Sequence, residues 1–245
     1  MSYFKVIKFD AIDSTNKYLK KLYLRKTIQD KLLIITNNQY DGKGQKKNRW
    51  LSEPSKNLTF SFYKILENRK IQNPFILNCI ISLTVLKVLE QFGVPNLKVK
   101  WPNDILSESK KISGILIENF YRQNFLYSSI IGVGINVNQT NFGSLKNVSS
   151  VKLSTGKFNN IDNFFLYLKT LLKNDIEKKT HLPFEKILND YEFKLYKKNI
   201  DSKFKIGDII LNGTIIGISE TGKLIVLTDK FGMKKYNYKE ISLLN

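Results

Sequence analysis

The chain has 245 residues, enough for one large domain with a small appendage and a proper hydrophobic core. Its formal net charge is +19, but only four cations are arginines (Arg25, Arg49, Arg69 and Arg122) and the lysines are scattered along the whole length, so no dedicated nucleic-acid surface is expected. One histidine, His181, and one cysteine, Cys79, exclude a zinc cluster, a Ser-His-Asp triad, a Cys-His pair and an internal disulfide.

Any catalysis therefore rests on Lys, Asp or Glu, Asn or Gln, and backbone amides. No apolar run is long enough to span a membrane. The lone thiol fits a reducing, cytoplasmic compartment. Met1 to Asp10 alternates like a strand, which we expect over residues 3 to 9, and it lacks a signal-peptide core. Asp13-Ser14-Thr15-Asn16 supplies capping residues for a helix carrying Tyr18, Leu19 and Leu22 on one face. Lys31 to Thr36 reads as a buried strand, Asn37 to Ser55 as a long polar loop, and Asn57 to Tyr63 as a second strand. Pro74 to Phe92 is a strongly apolar helix, with Pro at its start and Gly93 past its end. Leu97 to Glu118 reads as one hairpin, and Phe125 to Asn138 as a further strand. Two amphipathic helices follow, Ile161 to Lys178 and Pro183 to Lys198. From Asp201 short strands alternate with turns, as in a small SH3-like β-barrel. The expected division is a main domain over residues 1–200 and a β domain over 201–245.

Four segments carry chemistry. Lys100-Trp101-Pro102-Asn103-Asp104 ends a strand with a proline that cannot donate to a ladder, then two turn formers. Lys111 opens the apolar run Ile112-Ser113-Gly114-Ile115-Leu116-Ile117-Glu118. A hairpin mouth holding a carboxamide, a carboxylate, an ammonium and an indole suits a ligand with a negative centre. The loop Gln39 to Trp50 has glycines at 42 and 44 for close backbone approach, and four cations within seven residues, Lys43 to Arg49. Asn136 and Asn138 alternate within an apolar strand, where buried amides need partners that a ligand could supply. Gly132-Val133-Gly134 is no dinucleotide fingerprint, since no third glycine and no helix follow.

Taken in order, these segments resemble the biotin–protein ligases, over the chain from about Lys8 to its end. Asp13 to Asn16 is similar to that family's biotin-pocket motif, and Gly42 to Trp50 to its glycine- and arginine-rich loop. Lys100 to Asp104, Lys111 to Glu118 and Gly132 to Asn138 match its Lys-Trp-Pro-Asn-Asp, Lys-x-x-Gly-Ile-Leu-Ile-Glu and Gly-Ile-Gly-Ile-Asn-Val signatures. The departures lie in the loop: Lys43 and Lys46 stand where arginine is usual, Lys47 where glycine is, and Gln45 where many members have arginine. Lysine keeps the charge but not the planar fork.

The resemblance implies an α+β fold. A mixed sheet of the class II synthetase kind packs with helices, followed by the small C-terminal barrel, in the short form that lacks an N-terminal DNA-binding domain. It implies that Ser14, Thr15, Asn16 and Gln39 hold the ring end of biotin, with Gly42, Lys43, Gly44 and Gln45 closing over it. Lys111, followed by Gly114, bridges the biotin carboxylate and the ATP α-phosphate. Lys46, Asn48, Trp50, Asn103, Ile135 and Asn136 lie near the nucleotide, and Asp104 faces the acceptor lysine. Biotin and ATP are substrates, Mg²⁺ accompanies the nucleotide, and no side chain is assigned as a metal ligand. The implied partner is a biotin carboxyl carrier domain, without a specific nucleic acid or a membrane; homodimer formation stays open. Three rivals remain: a lipoate or octanoyl ligase-like enzyme, a basic nucleic-acid-binding protein and, more weakly, an inactive biotin binder given the loop departures.

Overall fold

A computed structural model describes residues 2–45, 48–66, 71 and 73–244. The central sheet has seven strands. At one edge β1 (Lys5–Ile12) runs parallel to β2 (Leu32–Gln39). All other neighbours are antiparallel. The two-residue strands β3 (Gly42–Lys43) and β4 (Arg49–Trp50) stand apart, and β2 pairs with β5 (Asn57–Ile65). At the far side β6 (Leu97–Lys100), β7 (Asp104–Ser107), β8 (Lys110–Arg122) and β9 (Phe125–Asn136) complete the order β1-β2-β5-β9-β8-β7-β6.

Side-chain alternation assigns the two faces. Leu33 and Ile35 of β2, Phe60 and Phe62 of β5, and Ile131, Val133 and Ile135 of β9 enter the main core. That core is closed by α2 (Phe75–Gln91), whose residues are nearly all buried, and by Phe164, Leu168 and Leu172 of α4 (Ile161–Lys179). The intervening residues Leu32, Ile34, Tyr63 and Ile130 pack on the other face against Leu19 of α1 (Thr15–Leu24). This short helix covers only part of its face. The rest of that face is free for a ligand.

The expected hairpin at Leu97 to Glu118 is three strands. The Trp-Pro-Asn turn joins β6 to β7, with Lys100 opposite Asp104. A second turn at Glu108 and Ser109, both at positive φ, joins β7 to β8. The expected loop at 37 to 55 contains the β3–β4 ribbon. The last helix, α5 (Phe184–Phe193), stops short of Lys198 because the edge of β6 captures the next residues. There Val99 N–H donates to Lys194 O and Tyr196 N–H to Val99 O, both at 2.8 Å. A one-turn helix, α3 (Val151–Thr155), was not anticipated; Ser150 caps it and Gly156 ends it at φ 73°.

The C-terminal strands form their own antiparallel sheet, ordered β13-β12-β11-β10-β14. They are β10 (Asp201–Ile206), β11 (Ile209–Ile218), β12 (Leu224–Thr228), β13 (Gly232–Tyr236) and β14 (Ser242–Leu243). Phe204, Ile215, Ile218, Leu224 and Val226 join the main core. Glu192 of α5 fixes the sheet by accepting from Ile218 N–H at 2.6 Å and pairing with Lys198. The Trp101 indole N–H donates to Gly222 O at 3.0 Å. His181 is exposed, and Cys79 is buried in α2, where burial pushes its thiol well up.

Candidate active site

The start of α1, the end of β2, the β3–β4 ribbon, the β6–β7 turn and the middle of β8 and β9 converge on one pocket. It is lined by Ser14, Thr15, Asn16, Gln39, Lys43, Gly44, Gln45, Asn48, Trp50, Asn103, Asp104, Lys111 and Gly114. Its lining also takes in the loop cation Arg49 and two residues the sequence did not single out, Ser61 of β5 and Tyr238. Lys46 lies outside the described residues.

A hydrogen-bond chain builds the floor, and its proton directions follow from donor counting. Asn16 Oδ1 can only accept, so Ser61 donates to it, at 2.5 Å. Ser61 has no second proton, so the 2.6 Å contact between Thr15 and Ser61 is donated by Thr15. Gln39 Oε1 accepts from Thr15 N–H at 2.9 Å. Asn16 Nδ2 donates to Glu118 at 3.2 Å, and Glu118 is held by Lys20 at 2.7 Å. Ser14 accepts from Lys17 N–H as the helix cap. Among the described residues neither the Gln39 amide nitrogen nor the Ser14 hydroxyl proton has an acceptor, which leaves both for a ligand.

Beside Ser14, burial alone would raise the Asp13 carboxyl. Hydrogen bonds from the Lys17 ammonium and the Ser14 amide outweigh it and hold the group below its usual 3.8.

Glycines make the close approaches possible. A Cβ on Gly132 would lie 2.0 Å from Asn16 Oδ1, and one on Gly134 would lie 2.4 Å from the Trp50 indole. Asn16 and Trp50 thus pack directly on the β9 backbone, which leaves no room for a side chain at either glycine. Gly42 is not part of the lining; it lets the Gln39 amide and the Trp50 backbone pass, each within 2.5 Å of where a Cβ would stand.

Lys111 and Asp104 stand at the mouth as an ion pair of 2.7 Å. Lys111 Nζ is 5.6 Å from the Trp50 ring centre, and the indole N–H is buried without a partner among the described residues. Asn103 is pinned: it donates to Ile115 O at 2.5 Å and accepts from Ile115 N–H. The loop cation Lys43 pairs with Asp41 at 2.8 Å.

Besides Gly42, three sequence expectations change. Ile135 points into the helix-covered core, because it occupies the odd-numbered phase of β9. Asn136 lies off the pocket lining; it donates to Ser149 O at 3.0 Å, and its Oδ1 is buried without a partner among the described residues. Asn138 needs no ligand, since it exchanges two bonds with the Asn159 backbone, at 2.8 and 3.0 Å.

Tyr238, from the segment after β13, reaches the pocket and sets its ring edge-on to Trp101, 6.2 Å between centres. Burial pushes its phenol up and Asp104 adds to this, while a hydrogen bond with Asn48 pulls the other way.

The whole is a small-molecule pocket on a mixed sheet, with a polar floor, an indole wall and an ammonium–carboxylate pair at the mouth. The chain matches the biotin/lipoate A/B protein ligase family over residues 8–136, more than half its length, and belongs to that family. It is 32% identical to the bifunctional ligase/repressor BirA of Escherichia coli over 130 residues, which is 52% of this chain and 39% of that one. It is 28% identical to the BirA of Bacillus subtilis over 255 residues, covering 97% and 74%. The chain therefore spans about two fifths of the length of the enterobacterial relative. Among solved structures it resembles the biotin protein ligase from Aquifex aeolicus in complex with biotin and ATP. That likeness has a TM-score of 0.80 at 27% identity and covers 98% of this chain and 99% of the other.

Proposed function

We propose that the chain is a biotin–protein ligase, which joins biotin to ATP as biotinyl-5′-AMP and passes the biotinyl group to a lysine of a carboxyl carrier domain. One observation carries the reading: the Lys111 ammonium opens into the same pocket as the Ser14–Thr15–Asn16 floor. The relatives named as ligases and the solved complex with biotin and ATP support it.

In the first act the biotin carboxylate attacks the α-phosphorus and pyrophosphate leaves. The nucleophile is already ionised at neutral pH, so no general base is required. The obstacle is repulsion between two anions. Lys111 offsets it, helped by Lys43 and Arg49, once the carboxylate takes over from Asp104 as the partner of Lys111. Asp104, so released, is placed to orient or accept the proton of the incoming amine in the second act, in which AMP leaves. Mg²⁺ bound to the nucleotide phosphates would add further charge neutralisation. Among the described residues no cluster of three or more acidic, histidine or cysteine groups could hold a metal.

The ring end of biotin fits the floor. Its urea carbonyl would accept from Ser14 and Gln39. We further propose a division into a ligase domain over residues 1–200 and an SH3-like module over 201–245, and a cytoplasmic setting for the buried free thiol.

The test is pyrophosphate release. We expect it only when biotin and ATP are both present, and a labelled carrier domain as product. Equal turnover with lipoate in place of biotin would transfer the chain to the other branch of the family.

A further inference from the structure

We propose that residues 147–149 position Lys111: they form a backbone strap, held by the Asn136 side chain, that clamps the Lys111 main chain with its ammonium in the pocket. The catalytic consequence rests on the ligase reading; the strap itself does not.

Strict alternation along β8 would put Lys111 in the core and Ile112 at the pocket, because Ile115 and Ile117 face the core. The reverse holds. Ile112 is wholly buried in the core. Lys111 lines the pocket, its Nζ 3.3 Å from where a Cβ on Gly114 would stand. A bulge makes the exchange: Ile105 pairs with Ser113, but the next residue, Leu106, pairs with Lys111.

The bulge leaves a gap beyond the end of β9. Pairing between β8 and β9 begins only at Ser113–Ile135. In continued register Val137 would stand opposite Lys111. Instead Val137 N–H donates to Asn57 Oδ1 at 3.1 Å, and its carbonyl accepts from Lys152 N–H at 2.8 Å. Residues 147–149 take the vacant place. Lys111 N–H donates to Asn147 O, and Lys111 O accepts from Ser149 N–H, both at 2.8 Å. Val148 thereby pairs in parallel with Lys111. Both main-chain groups of Lys111 are thus satisfied by one short segment. The segment is tied in turn to the end of β9, where Asn136 Nδ2 donates to Ser149 O at 3.0 Å. Asn147 sits at φ 58°, a left-handed conformation that asparagine tolerates and a β-branched residue resists. Its side chain is exposed, so its residue type serves the backbone.

The first experiment reads amide hydrogen exchange by NMR on the full chain without ligand. Asn147→Val strains the left-handed position, and exchange at the Lys111 amide should quicken by about tenfold or more. Amides of the β8–β9 ladder should keep their wild-type rates, which separates a loosened strap from a loosened fold. Asn147→Gly accepts the same φ and should stay within about threefold of wild type. Asn136→Ala frees the other tie and should quicken the Lys111 amide likewise; with no nucleotide present, a lost ligand contact cannot imitate this. The second experiment is biotin-dependent pyrophosphate release. In Asn147→Val kcat should fall by about ten- to a hundredfold, with KM for biotin and ATP within about threefold, and Asn147→Gly should restore it. A Lys111 amide that exchanges at the wild-type rate in either Asn147→Val or Asn136→Ala overturns the strap. A loosened amide with wild-type kcat overturns the positioning role. If the wild type releases no pyrophosphate, the ligase reading falls while the exchange rates still decide the strap.

Discussion

Gly132→Ala adds one methyl group at the floor of the pocket. Its carbon would stand 2.0 Å from Asn16 Oδ1 and 2.9 Å from Asn16 Cγ, where ordinary contact begins near 3.4 Å. The strand cannot retreat, because Gly132 is paired to Ser61 on one side and Leu116 on the other. Asn16 must therefore swing away. It then loses the bond from Ser61 and the one to Glu118. Each is worth about 1 kcal/mol, and the overpacking itself costs about 1–3 kcal/mol, so a loss near 3–5 kcal/mol is expected. Urea unfolding followed by tryptophan fluorescence measures it. Calorimetric titration with biotin should show affinity reduced by about a hundredfold, a change near 2.7 kcal/mol. Gly114→Ala is the internal comparison: its methyl meets only the Trp50 ring edge at 3.1 Å and the movable end of Lys111 at 3.3 Å. Its effect should be clearly smaller. Wild-type stability and biotin affinity in Gly132→Ala would refute the close approach of Asn16 and, with it, the floor.

Three further outcomes are open to measurement. Asp104→Asn should leave pyrophosphate release without carrier within a few-fold of wild type, while transfer to the carrier falls by about 10²–10⁴-fold; equal losses in both acts would remove the proton role. Asp13 is held below its usual 3.8, so its contribution to stability is present above that value and fades as pH falls through the folded value. Asp13→Asn should accordingly flatten the loss of stability below about pH 4 in urea titrations, and an unaltered slope would contradict the shift. Glu192→Gln keeps an acceptor for Ile218 N–H but removes the charge facing Lys198, and should lower the melting temperature by a few degrees; no change would mean the module is held elsewhere.

Much of the pocket was legible because its residues break local rules. Asp13 to Asn16 carries a helix cap, and Ser14 does cap. A polar cluster beside an apolar run marked Asn103, Asp104 and Lys111, and all three meet at one mouth. The apolar content of Pro74 to Phe92 gave a buried helix for the same reason that α2 is covered on nearly every side. Ser61 was missed although a signal existed: Thr59 and Ser61 alternate with Phe60 and Phe62, and a strand buried on both faces with one polar face implies something polar beyond it. Ile135 turns its side chain into the core, which the motif could not foretell because it gives no phase; only the pleat decides which side chains of β9 reach the pocket. Asn138 was misread since its partner, the Asn159 backbone, lies 21 residues away in an irregular stretch. The ribbon at 42 to 50 is too short to have a period. Nothing local marks Tyr238, because its place depends on how a whole module docks on α2 and α5.

Adenylate formation by Lys111→Ala, measured as biotin-dependent pyrophosphate release against wild type, most directly tests whether one ammonium lets two anions meet. We expect a fall of at least about 10²-fold with the fold intact by circular dichroism. A rate within about twofold of wild type would contradict it, since that size of effect is no more than a surface charge contributes.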